Sequence, residues 1–305
     1  MKEVYTIADL RDWQSATADC EPPIRLAVIG DPVAHSASPP MHNAALAALG
    51  LPVRYTRLHI RPEELTEALA LLPGAGFIGI NCTIPHKGAV LAAVHSRDIS
   101  AEQAGGVNTV VVQPDGKLHG YSTDGAGLSR AVREAFGVEL ATQRVLILGA
   151  GGGAGRAVAM QCASEKCPRL VLLNRTLGKL SELTAKVEAI YPRERLVVGA
   201  LEPTALASQL AQTDLVINCS SVGMKPGDES PVPTNLLEAR HCLYDTIYVG
   251  QRTPLQCAAN AAGARSANGL TMLLHQGAIS FEHWFQQPAP TEAMRAALFA
   301  HIAKK

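Results

Sequence analysis

From residue 24 onward, short runs of Ile, Val and Leu alternate with longer Ala- and Leu-rich stretches. Strands that alternate with helices predict an α/β protein, a parallel or mixed sheet covered by helices. A strand over 24–29 ends at Gly30-Asp31-Pro32, and a helix over 39–49 stops at Gly50. Further strands are predicted at 53–59, 77–80, 107–112 and 117–121, the last two flanking the hairpin turn Pro114-Asp115-Gly116. A mixed sheet fits residues 24–124. Residues 1–23 read as an extension outside this pattern, in which Thr6 and Asp9 could open a short helix through Trp13.

The clearest βαβ pattern starts at 144–148, passes a Gly/Ala loop, enters a helix ending near Lys166 and returns at 170–173. Strands at 196–198, 215–218 and 242–245, with helices between them, extend a doubly wound sheet, so a second domain is expected over 125–270. Helices at about 271–286 and 291–303 have no strand to return to, and they are expected to complete the first domain.

A chain of 305 residues has room for two such domains. Its 47% hydrophobic and 18% charged residues exclude a disordered, collagen-like or coiled-coil chain. Lys plus Arg equals Asp plus Glu at 27 each, so no net field draws in nucleic acid or an anionic membrane, and any bound anion must be captured locally. The seven Cys show neither a C-x-x-C pair nor metal-ligand spacing, as expected of a reduced, cytoplasmic protein without a metal site. The acidic first residues do not resemble a secretory leader, and no apolar run reaches the ~20 residues of a membrane span.

Gly149-Ala150-Gly151-Gly152-Gly153-Ala154-Gly155 lies between an apolar strand and a helix, where backbone N–H groups and the helix N-terminus can hold a pyrophosphate. Alone such a stretch is also a flexible turn; the strand, helix and return strand around it favour a dinucleotide. Where an NAD site offers an acid to the ribose, this chain has Asn174-Arg175-Thr176, with Lys179 a turn later. Two cations without an acid suit a 2′-phosphate, the alternative being a solvated helix start.

Three polar clusters follow strands in the first half: His35-Ser36-Ala37-Ser38, Asn81-Cys82-Thr83-Ile84-Pro85-His86-Lys87, and Asn108-Thr109 with Ser122-Thr123-Asp124. Ligands of open α/β sheets bind at strand C-terminal ends. Hydroxyls, amides, one ammonium and one carboxylate suit a small polyhydroxylated acid. Each also has a structural reading: Ser36 and Ser38 as helix caps, Asn81 and Asn108 as turn residues, Lys87 as a surface lysine.

Taken together and in order, these segments resemble the shikimate dehydrogenase family. The resemblance runs from about Ile24 to the C-terminus and rests on G-D-P-V-A-H-S-A-S-P, N-C-T-I-P-H-K, G-G-V-N-T, S-T-D-G-A-G, the Gly-rich loop, N-R-T, N-C-S-S-V-G-M, Y-D-T-I-Y and N-G-L-T-M-L-L-H-Q. It implies a substrate-binding domain over 24–124 completed by 271–305, and a Rossmann-type NADP domain over 125–270. It also implies substrate contacts from Ser36, Ser38, Thr83, Lys87, Asn108, Asp124, Tyr248 and Gln276, with Lys87 and Asp124 as the catalytic pair. Cofactor contacts would come from Gly149, Ala150, Gly151, Gly152, Gly153, Ala154, Asn174, Arg175, Thr176, Lys179 and Gly269. The implied reaction is reversible, NADP-dependent reduction of 3-dehydroshikimate to shikimate, in the biosynthesis of aromatic amino acids.

Three features depart from the family pattern: one additional glycine in the loop, Thr246 after Tyr244-Asp245, and residues 1–23. A dual quinate/shikimate dehydrogenase and a catalytically silent nucleotide sensor are the alternatives, the latter disfavoured by Lys87 and Asp124 both being present. A folate-like substrate would need an aromatic slot that 4% Phe, Trp and Tyr does not advertise. The expected partners are small molecules alone, with neither nucleic acid nor membrane, and the chain acting as a monomer or homodimer.

Overall fold

A computed structural model describes residues 2–225, 227–248 and 252–304. The chain forms two compact units, Met1–Thr123 with Gln276–Lys305, and Asp124–His275. The long helix Leu270–Phe285 carries the chain from the second unit back into the first. Among the described residues no helix is long and apolar enough to cross a membrane.

The first unit is built on a mixed sheet of seven strands: β1 (Tyr5–Thr6), β2 (Ile24–Gly30), β3 (Arg54–His59), β4 (Gly79–Cys82), β5 (Ser96–Arg97), β6 (Thr109–Val112) and β7 (Leu118–Tyr121). Their order is β1-β3-β2-β4-β6-β7-β5. β2 pairs in parallel with β3 and β4, whereas β6 is antiparallel to both β4 and β7, as the Pro114-Asp115-Gly116 turn requires. The strand predicted at 77–80 sits two residues later, at Gly79–Cys82: Phe77 is still bonded back to the Leu72 carbonyl, and Ile78 makes the first contacts with β2 and β6, its N–H donating to the Arg25 carbonyl and its carbonyl accepting the Val112 N–H. The described residues before Ile24 pack onto this unit. Tyr5 and Thr6 pair with Leu58 and His59 of β3, and the Thr6/Asp9 capping box opens the helix Ile7–Arg11. Tyr5, Leu10 and Trp13 are buried in the same core as Ile29, Leu58 and Phe77.

The second unit holds β8 (Arg144–Leu148), β9 (Arg169–Asn174), β10 (Leu196–Ala200), β11 (Leu215–Asn218), β12 (Cys242–Asp245) and β13 (Arg265–Asn268), all parallel. The order β10-β9-β8-β11-β12-β13 reverses direction at β8, whose C-terminal end is the point where such sheets bind nucleotides. β8 reads as a continuous apolar run because both its faces are covered: Val145 and Ile147 enter one core, Leu146 and Leu148 the other.

Among the described buried titratable residues of the first unit, one histidine lacks a hydrogen-bond partner. His42, on the helix Ser38–Ala48, is 0% exposed, stacks on Tyr55 at 4.5 Å and meets Trp284 at 5.2 Å, and neither ring nitrogen has a hydrogen-bond partner. Burial lowers its pKa from 6.5 to about 3. Between those values the unfolded chain binds a proton that the folded chain refuses, so stability falls as pH drops below 6.5 and this group's share of the loss ends near 3. His42→Leu is therefore expected to move the acid-unfolding midpoint, followed by tryptophan fluorescence, to lower pH. An unmoved midpoint would contradict this.

Candidate active site

In the first unit Asn81, Asn108, Thr109 and Thr123 of these polar clusters meet Tyr55, Gln276 and Ser280 in one buried hydrogen-bonded group. Asn81 of β4 uses Nδ2 to donate to the Asn108 carbonyl at 3.2 Å, Thr109 Oγ1 at 3.2 Å and Ser280 Oγ at 3.0 Å. Its Oδ1 accepts the Tyr55 hydroxyl at 2.7 Å. Asn108 directs Nδ2 to Thr123 Oγ1 at 2.9 Å and Gln276 Oε1 at 3.3 Å, and its Oδ1 accepts the Thr123 N–H at 2.8 Å. Asn81 and Asn108 are thus not turn residues: both are buried, and their amides fix neighbouring strand ends. The structure brings Asn108 and Gln276 together, although they lie 168 residues apart.

Ser36 and Ser38 are not helix caps. The N-cap of Ser38–Ala48 is Ala37, with no side-chain cap, and Pro39 and Pro40 remove two of the first-turn N–H donors. An anion at this end must therefore rely on the serines rather than on a full set of helix amides. The Ser36 hydroxyl accepts the Ser38 N–H at 3.3 Å. Thr83 follows β4 and is joined to β2 through its N–H, which donates to the Ile29 carbonyl at 3.0 Å. Lys87 opens the helix Lys87–Ala93 and is half-buried, and its carbonyl accepts the Val107 N–H at 2.9 Å. That contact holds the start of this helix beside the segment that leads to Asn108.

In the second unit Asp124 is buried at the start of the helix Asp124–Phe136, an end that favours a negative charge. Tyr248 follows β12, and burial raises its hydroxyl pKa. The Gly-rich loop leaves β8 through Gly149, whose φ of +76° only glycine adopts readily and whose Cβ would lie 2.7 Å from the Ser220 nitrogen. Gly152 is the N-cap of Gly153–Ser164 and carries no side chain to cap it, so the first-turn N–H groups of Gly153, Ala154 and Gly155 are left for a ligand. At Gly155 a Cβ would collide with the Gly149 carbonyl. A loop this closely folded, with an uncapped helix behind it, fits a pyrophosphate.

Asn174 ends β9 with its side chain turned inward: Oδ1 accepts the Gly151 N–H at 3.3 Å and Nδ2 donates to the Thr176 carbonyl at 2.8 Å. It shapes the loop as well as replacing an acid. Arg175, Thr176 and Lys179 are exposed beside it. Arg156 did not stand out in the sequence, yet it braces this region, donating to Glu182 at 2.9 Å, the Lys179 carbonyl at 3.2 Å and the Gly151 carbonyl at 3.4 Å. Glu182, the nearby acid, is paired with Arg156 and Lys186.

Thr246 has a structural task. Its hydroxyl and N–H both donate to the Asn218 carbonyl, at 2.8 and 3.0 Å, closing the end of β11. Gly269 donates its N–H to the Ile247 carbonyl at 3.1 Å, and a Cβ there would strike the Thr246 carbonyl. Asp245 is fully buried among donors, Thr253 at 2.5 Å, Asn218 at 3.0 Å and the Ile247 N–H at 3.2 Å, and desolvation raises its pKa.

Comparison with known proteins bears on the family and the fold. Residues 28–110 match the family model of the shikimate dehydrogenase substrate binding domain, and residues 269–299 match the shikimate 5′-dehydrogenase C-terminal domain. The shikimate dehydrogenase (NADP(+)) of Symbiobacterium thermophilum is 40% identical over 279 residues, covering 91% of this chain and 94% of that protein. That of Moorella thermoacetica is 41% identical over 275 residues, covering 90% and 92%. The crystal structure of shikimate 5-dehydrogenase from Thermus thermophilus in complex with NADP(H) and shikimate superposes with a TM-score of 0.80 at 33% identity, over 91% of this chain and 99% of that one. With identity of this level sustained along nearly the whole length of both sequences, the chain belongs to the shikimate dehydrogenase family.

Proposed function

We propose that this chain interconverts 3-dehydroshikimate and shikimate with NADP, and that the residues named from the sequence carry the reaction. The observation that supports this most directly is the joint presence of a buried amide group at the strand ends of the first unit and an uncapped Gly-rich helix start in the second. The first offers directional donors and acceptors to a polyhydroxylated ring, and the second offers backbone N–H groups to a pyrophosphate.

In this reading Ser36, Ser38 and Tyr248 take the substrate carboxylate, while Thr83, Asn108 and Gln276 hold the ring hydroxyls. The Gly149 to Ala154 loop holds the pyrophosphate, Arg175 and Lys179 bind the 2′-phosphate, and Gly269 lines the nicotinamide end. Bound NADP supplies or accepts the hydride. Oxidising the secondary alcohol also requires its O–H proton to leave, and a positioned base contributes about 10²–10⁴-fold to such a step. Lys87 takes that proton and Asp124 holds the reacting hydroxyl. No macromolecular partner is required.

Lys87→Ala is expected to lower kcat for shikimate oxidation well beyond tenfold, with NADP affinity in a fluorescence titration nearly intact. Asp124→Asn should lose almost as much, and the double variant should be little worse than either, because the two groups act as a unit. Additive losses, or more than a tenth of kcat surviving in Lys87→Ala (a barrier of only ~1.4 kcal/mol), would contradict the pair.

Cofactor choice follows from Arg175 and Lys179. Charge-assisted bonds contribute about 1.5–3 kcal/mol each, less at an exposed, salt-screened site, so a tenfold preference for NADP over NAD in kcat/KM is expected. Arg175→Ala should raise the KM for NADP far more than that for NAD, and Lys179→Ala should do the same more weakly. Equal constants for the two cofactors at matched ionic strength would overturn the assignment.

A further inference from the structure

Strand β3 addresses the serine loop residue by residue. Side chains two apart on a strand share a face, and on the face carrying Tyr55, Arg57 and His59 each reaches the segment between β2 and Ser38. His59 Nε2 meets Asp31 Oδ1 at 2.8 Å. Arg57 grips the Ser36 carbonyl with two donors, Nε at 3.1 Å and Nη2 at 2.7 Å. Tyr55 is hydrogen-bonded to the Ser38 side chain. Strand and helix are clamped at the same level: Asn43 donates Nδ2 to the Tyr55 carbonyl and accepts the Tyr55 N–H, both at 2.9 Å.

The direction of the hydrogen bond beyond Tyr55 is fixed by the amide. Asn81 Nδ2 faces three oxygens that accept it, so its Oδ1 must face Tyr55, and the phenol must donate there. The phenol oxygen is then left to accept the Ser38 hydroxyl. Tyr55 is 3% exposed and stacked on His42, so it has no other orientation to take.

We propose that Tyr55 and Arg57 are positioning residues for the substrate carboxylate: Arg57 sets the backbone of Ser36, and Tyr55 sets the hydroxyl of Ser38 and ties it through Asn81 to the Asn108 main-chain carbonyl and, by way of the Thr109 hydroxyl, to the Asn108 side chain. Neither touches the reacting atoms. The proposal rests on the reading that Ser36 and Ser38 bind the carboxylate of shikimate. Its consequence is that the spacing between the carboxylate end and the hydroxyl end of the pocket is held by one connected row of buried bonds.

The test is steady-state kinetics of the full chain with shikimate and NADP. Tyr55→Phe keeps the ring and its stacking and removes only the hydroxyl, and Arg57→Lys keeps the charge and removes the fork. Each is expected to raise the KM for shikimate at least threefold while the KM for NADP stays within twofold. In a Ser38→Ala background the Tyr55→Phe increment should shrink below twofold, since the group it positions is gone. Tyr5→Phe removes another buried hydroxyl of the same unit, one that faces Cys20, and should leave the shikimate KM within twofold. The proposal is overturned if both Tyr55→Phe and Arg57→Lys leave the shikimate KM within twofold. It is equally overturned if the Tyr55→Phe increment is undiminished in Ser38→Ala, or if Tyr5→Phe raises KM as much. Wild-type protein with no shikimate turnover would remove the underlying reading and this proposal with it, an outcome distinct from active wild type with indifferent variants.

Discussion

The Asn81 amide has one orientation available to it, and the first unit is organised around that fact. It is buried, so each of its polar atoms must be satisfied inside the protein, and an unsatisfied one would cost about 1–3 kcal/mol. Three oxygens surround its nitrogen, so its oxygen faces Tyr55. Those four bonds join β3, β4, the start of β6 and the helix Leu270–Phe285, elements that no local pattern would hold in register. Asn108 and Gln276, two of the proposed substrate contacts, are second and third steps along the same network. A fully satisfied network of this kind rigidifies what it touches, whereas a half-satisfied one would be worse than an apolar core.

The second unit meets its ligand differently. On the proposed reading it would use main-chain N–H groups at a helix start, and side chains keep that backbone in place: Asn174 holds Gly151, and Arg156 holds Gly151, Lys179 and Glu182. The additional glycine lies within a loop whose two ends are pinned, at Gly149 by the Leu173 carbonyl and at Gly152 by the Gly149 carbonyl. In the proposed function, specificity falls to the exposed cations, Arg175 and Lys179, which lie outside the backbone frame.

The alternation of strands and helices, the hairpin at Pro114-Asp115-Gly116 and the β8 loop were legible because they depend on neighbours in sequence. β1 and β5 were not, since a strand of two residues has no period to read. The alternative reading of the serines as caps fails in the structure; the sequence shows hydroxyls before Pro39 but not where the helix begins. Tyr55, Arg156 and His42 were missed for a common reason: each is defined by groups far along the chain, such as Asn81 for Tyr55 and Trp284 for His42. Thr246, a departure from the family pattern to which the sequence assigned no role, spends its hydroxyl on the end of β11.

The proposed function stands or falls on the preference of the site for shikimate. The most direct measurement is the 340 nm absorbance of purified wild-type protein with NADP and either shikimate or quinate, taken to full kcat/KM. Quinate carries an additional tertiary hydroxyl beside the carboxylate, where the account places Ser36, Ser38 and Tyr248. A kcat/KM for shikimate well above threefold that for quinate is the expected result. Values within threefold of one another, or turnover of neither acid, would contradict it.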